Sequence, residues 1–158
     1  MKRNKTIFIT TGNVDGIGLE IARKALEKIS PQKNECFVVL RGKSKSADAE
    51  MRKIKSIRIS RMGEIDLPHG QIYDLPQKTS PLQWFEDAIK ICLKNPTTHG
   101  IATGPMAKII HKSYGPDPIG HTEVIAKLSG HRIFPVFLGQ KFHVILATSH
   151  LPLRLVPQ

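Results

Sequence analysis

Four short stretches carry residues that could do chemistry. In "GHTE", Gly120 is followed by His121, Thr122 and Glu123 at the head of an apolar-periodic run. A helix leaves its first four N–H groups without internal partners. A histidine and a hydroxyl set there can hold a ligand's hydroxyl or carboxylate, and a neutral imidazole can accept a proton from an alcohol. The plainer alternative is that Thr122 caps the helix. In "TSHLPL", His150 follows an apolar strand and precedes a Pro-containing turn. It is a metal ligand by type, but a catalytic metal usually takes three protein ligands, and one histidine is more often structural. In "ATGPMAK", Lys108 lies just past a Gly-Pro turn, within reach of an anion or exposed on a short helix. In "TTGNVDGIGLE", Gly12, Gly16 and Gly18 fall between a strand and a helix. Such a turn can offer N–H groups to an anion. Its spacing matches neither the dinucleotide fingerprint nor the Walker loop, so a tight turn without a ligand fits equally well.

The elements around these stretches alternate between strand and helix. "KTIFITTG" and "ECFVVL" read as strands, the second a continuous apolar run suited to burial on both faces. Between them Ile17, Ile21, Ala22, Ala25, Leu26 and Ile29 form a helical stripe. "IKSIRIS" alternates like an edge strand. Residues 61–80 lack a period and read as a long loop or a pair of short strands. Ser80-Pro81 then opens a helix whose buried face is Leu82, Phe85, Ile89 and Cys92 or Leu93. "HGIATG" is a short strand, "MAKIIHKSYG" and "HTEVIAKLSG" are helices stopped by Gly, and "RIFPVFLG" with "FHVILATS" makes a hairpin about Gly139-Gln140. This order predicts a three-layer α/β/α unit with a mostly parallel sheet over residues 1–158.

Composition narrows the function classes. A chain of 158 residues with 40% hydrophobic content can bury a core as one domain. No apolar run is long enough to span a membrane, and the basic start followed by Ile7–Ile9 reads as a first strand, not a signal peptide. Cys36 and Cys92 lie in apolar runs and are expected as free thiols in a reducing compartment, hence a cytoplasmic protein. The net charge of +11 is concentrated in residues 41–61. That stretch has little aromatic interleaving, so it reads as a solvated basic loop in preference to a nucleic-acid platform.

Taken together, "TTGNVDGIGLEI", "ATGPMAK", "GHTEVIAKLSG" and "ILATSHLPLRLVP" resemble, in order, motifs of the 4-hydroxythreonine-4-phosphate dehydrogenase family of vitamin B6 biosynthesis. The resemblance runs from about residue 5 to the end and covers only the family's N-terminal half. It implies part of a fold like isocitrate and isopropylmalate dehydrogenases. It also implies NAD or NADP, a divalent metal (Zn, Mg or Co), a phosphorylated small-molecule substrate, and a homodimer or a complementing C-terminal half. Carried over by motif, His121 and Thr122 look like the substrate-binding pair and His150 like the first of three metal-binding histidines; Lys108 joins them as a substrate-binding candidate from its place after the Gly-Pro turn.

Two departures qualify the resemblance. Where the family turn reads Gly-Asp-Pro-Ala-Gly-Ile-Gly, this chain has Asn13, Val14 and Asp15 in the middle. The other two metal histidines and the phosphate-gripping basic residues belong to a second half that this sequence does not contain. His69, His99, His111, His131 and His143 match no family motif. The sequence therefore predicts a dehydrogenase by descent with a partial site and little turnover by itself. The alternative is a non-catalytic binding module derived from that family.

Overall fold

The computed structural model describes residues 3–61, 67–108, 112–115, 119–148 and 152–156. In chain order the elements are β1 (Lys5–Thr10), α1 (Gly18–Lys28), β2 (Glu35–Gly42), α2 (Lys45–Met51), β3 (Ile57–Arg58), β4 (Gln71–Gln77), α3 (Pro81–Lys94), β5 (His99–Thr103), α4 (His121–Ser129), β6 (Val136–Leu138) and β7 (His143–Ile145). Five strands form one sheet in the order β3-β4-β2-β1-β5, and all its pairings are parallel. The expected α/β class with a parallel sheet is what the chain adopts.

Side chains alternate across the strands and divide the core in two. On one face Phe8, Val38, Leu40, Tyr73 and Leu75 pack against Trp84 and Ala88 of α3. On the other, Val39 and Ile72 meet Leu26 of α1 and Met51 of α2. A third cluster joins Leu82, Phe85 and Ile89 of α3 to Ile119 and Val124, docking α4 beside α3. Helix α3 starts as its sequence predicts: the Ser80 hydroxyl accepts from the Gln83 N–H at 3.2 Å, and Pro81 takes the first turn.

Four expectations need correction. Residues 61–80 hold β4, a seven-residue strand set between β2 and β3. Asp74 and Pro76 disguise it, because neither suits a central strand by type. Second, the basic stretch 41–61 is not one solvated loop. It contains α2, and Arg41 is wholly buried. The Arg41 guanidinium donates to both Asp74 oxygens, at 2.7 and 2.8 Å, and to Asp48 at 2.6 Å. Arg58 joins the same two carboxylates from β3. A buried charge needs such complete pairing, and here one cation ties β2, β4 and α2 together. Third, the apolar stripe of α1 splits: Ala22 and Leu26 are buried, while Ile17, Ile21 and Ile29 are exposed. Arg23, paired with Glu27 and Glu50, is buried in their stead. Fourth, Lys108 lies in irregular backbone, and the expected helix "MAKIIHKSYG" shows only a 3-10 turn at Lys112–Tyr114 among the described residues. The hairpin is present as β6–β7, pairing Val136 with Ile145 and Leu138 with His143, closed by a Gly139 N–H to Phe142 carbonyl bond of 3.1 Å.

Candidate functional site

The sheet order reverses at β1. The chain runs outward from β1 to β2 and on to the β4 side, then returns to place β5 on the other flank of β1. In open α/β sheets ligands bind outside the carboxyl ends of the strands at such a reversal. Both glycine-bearing turns leave the sheet there, one after Thr10 and one after Thr103.

The two turns are knitted together. The Gly104 N–H donates to the Thr10 carbonyl at 2.6 Å, and the Asn13 N–H to the Pro105 carbonyl at 3.1 Å. The Asn13 side-chain oxygen accepts from the Ala107 N–H at 3.4 Å. Gly12 has φ +72, and a Cβ added to it would stand 1.9 Å from the Pro105 carbonyl oxygen. On Gly18 a Cβ would meet the Thr11 carbonyl oxygen at 1.8 Å. These glycines thus serve backbone-to-backbone packing.

That packing aims the β5 exit loop at α4. The Cε of Lys108 lies 3.9 Å from where a Cβ on Gly120 would stand, so the lysine reaches the start of the helix that His121 opens. Lys108 is exposed, and His121 and Thr122 are half-buried. The cap is Gly120, not Thr122: the Gly120 N–H donates to the Glu123 carboxylate at 2.8 Å. Thr122 sits inside the first turn, so capping does not account for its hydroxyl. His121 packs edge-on against Phe85, with ring centroids 4.9 Å apart at 85°. Burial lowers its pKa below the ordinary histidine range, and the Glu123 charge opposes this only in part. The imidazole is therefore neutral near pH 7, the form that accepts a proton.

Lys108, His121 and Thr122 are thus gathered at one end of the molecule. His150 lies outside the described residues. Among the described residues no group of three or more His, Cys, Asp or Glu side chains is placed to hold a metal ion, and no described helix is long and apolar enough to cross a membrane. Two supporting residues escaped the sequence reading. Asn13 was visible only as a departure in the glycine turn, and Phe85 only as part of the α3 stripe.

A parallel five-stranded sheet flanked by helices defines an open α/β protein. The family model of the pyridoxal phosphate biosynthetic protein PdxA matches residues 13–158, and the chain belongs to that family. A 4-hydroxythreonine-4-phosphate dehydrogenase of Sulfurihydrogenibium sp. is 29% identical over 96% of this chain and 51% of its own length. A Salmonella typhi protein, provisionally named D-threonate 4-phosphate dehydrogenase, is 29% identical over 95% of this chain and 52% of its own. A solved structure from Salmonella typhimurium, provisionally titled a 4-hydroxythreonine-4-phosphate dehydrogenase, superimposes with a TM-score of 0.69 at 26% identity. It covers 96% of this chain and 53% of that one. A Burkholderia phymatum structure shares the fold, with a TM-score of 0.65 at 18% identity. The chain spans about half the length of these relatives.

Proposed function

We propose that this chain forms one wall of a dehydrogenase site that takes a phosphorylated hydroxy acid, 4-phosphohydroxy-L-threonine in the first instance. The observation that carries this reading is the approach of Lys108 to the helix start that bears His121 and Thr122. In this reading Lys108 holds an anionic group of the substrate. Thr122, at the first turn of α4, binds its polar end. Neutral His121 takes a hydrogen bond from the carbinol hydroxyl and accepts its proton as the alcohol becomes a ketone.

The family resemblance also implies hydride acceptance by NAD or NADP and a divalent metal ligated in part by His150. Among the described residues no group of three metal ligands is gathered, so in this reading groups beyond them complete the metal and cofactor sites. One wall can bind substrate without turning it over, and a complementing second half or a dimer partner is needed for the reaction. The Salmonella typhi relative favours a second substrate of the same class, D-threonate 4-phosphate, whose name places a hydroxyl where the other acid has an amine.

Titration of the purified chain with each phosphorylated acid, followed by NMR, tests the reading. Resonances of Lys108, His121 and Thr122 should shift with the better acid. Lys108→Ala should weaken that binding by about tenfold, the loss of one charge-assisted contact of ~1.4 kcal/mol. With NAD and a divalent metal added, turnover should stay at background. Vigorous turnover by the chain alone, or shifts confined to other residues, would overturn the proposal.

A further inference from the structure

Two balanced clusters of ion pairs surround α2. Arg41 and Arg58 answer the carboxylates of Asp48 and Asp74. Arg23 and Lys53 answer Glu27 and Glu50. Arg52 and Lys55 are exposed and have no carboxylate partner among the described residues. Both line a hollow of about 350 Å³ between the end of α2 and β3, which they share with Arg58, Asp48 and Asp74. That volume falls in the range of small-molecule sites. Wholly buried Arg41 bonds the same two aspartates from behind. Four cations (Arg41, Arg52, Lys55 and Arg58) thus stand against two carboxylates, a surplus of two positive charges. Ser56 is half-buried in the lining, and its hydroxyl has no hydrogen-bond partner among the described residues. Ile54 adds apolar surface. Cations at the carbonyl end of α2 also offset its dipole, but that role needs no hollow and predicts no saturable binding. β3 is one edge of the sheet and β5 the other, so the hollow lies at the opposite edge from the strand whose exit loop carries Lys108.

We infer that this hollow binds a small phosphate ester. Arg52, Lys55 and Arg58 hold the phosphate, Ser56 donates to one of its oxygens, and the carbon body rests against Ile54. Charge chooses the phosphate. A phosphate monoester carries about −1.5 to −2 charge at pH 7 and three acceptor oxygens, which matches the surplus of two. A carboxylate matches only half of it. A nucleic-acid strand fits less well, because no aromatic side chain lines the hollow for a base to stack on. The inference rests neither on family membership nor on the roles given to Lys108, His121 and Thr122.

The test titrates the purified chain with glycerol 3-phosphate and follows its backbone amides by NMR, with ionic strength held constant by chloride. Amides of residues 52–58 should shift and saturate with a Kd on the order of 1 mM or tighter. Lactate, a carboxylate of similar size, should bind there several-fold more weakly. Arg52→Ala combined with Lys55→Ala should weaken phosphate-ester binding by about tenfold or more. Both side chains are exposed and unpaired, so the melting temperature should not change. Lys43→Ala combined with Lys45→Ala removes the same charge from the same basic stretch outside the hollow. That variant should keep the parent affinity within about twofold. Equal weakening by both pairs would overturn the inference, because the general positive field would then suffice. So would unsaturable shifts at 52–58, equal affinity for lactate, or a short RNA that binds these amides more tightly with a steep salt dependence. Lys108→Ala should leave the 52–58 shifts intact while weakening the substrate binding proposed above, so the two readings fail separately.

Discussion

His121 takes its chemical character from a partly buried setting in which Phe85 packs edge-on. Packing against Phe85 withdraws the ring from water and favours the uncharged form. A histidine whose folded pKa lies below its unfolded value contributes stability that is complete above the unfolded value and is lost as pH falls through the folded one. An NMR titration of the imidazole should therefore give a midpoint below the ordinary histidine range, and Phe85→Ala should raise it. A midpoint at or above that range would contradict the packing described. The residue types at this site were legible in the sequence, since "GHTE" names its own histidine and hydroxyl. Their meeting with Lys108 was not, because it depends on a loop braced from 94 residues away by Asn13. Cys92 behaves as its apolar run foretold: burial pushes its thiol up to about 11, and both cysteines are free. Burial raises both thiols, which leaves little thiolate at neutral pH.

At the level of elements, the β1–α1 turn positions the site by close backbone approach. Gly18 opens α1 with its Cα against the Thr11 carbonyl, and no side chain can be inserted without moving one element off the other. Gly18→Ala should cost about 3 kcal/mol, the upper end for overpacking, measured by urea denaturation. It should also loosen the 104–108 loop, seen as faster exchange at Gly104. A variant as stable as the parent would show that the turn has slack. The strand–turn–helix was readable from its glycines, but their purpose was not. Spacing alone cannot distinguish a glycine that admits a ligand from one that admits a neighbouring carbonyl. Helix α3 announced itself through Ser80-Pro81 and its apolar period. Strand β4 stayed hidden because a buried Asp74 makes sense only once Arg41, 33 residues earlier, is known to face it.

At the scale of the whole molecule, that cluster adds one acid-sensitive contribution to stability. Hydrogen bonds from Arg41 and then Arg58 hold the Asp48 carboxyl below the usual carboxylate range. This contribution is complete above the unfolded aspartate value and is lost as pH falls through the lowered folded value. The melting temperature should therefore drop through that acidic window, and Asp48→Asn should flatten the drop. Equal acid sensitivity in the variant would remove the cluster from the account. The parallel layers of the fold were legible as alternating strand and helix patterns. Which flank stayed uncovered was not, because exposure is a property of the assembled sheet. The hairpin β6–β7 presents Val136, Phe137, Leu138, Val144 and Ile145 to water, with Phe142 at its tip. To a chaperone or a protease adaptor, an oily ribbon of that kind looks the same as a nascent segment still emerging from the ribosome. Left in water, such a ribbon favours association with any apolar surface it meets.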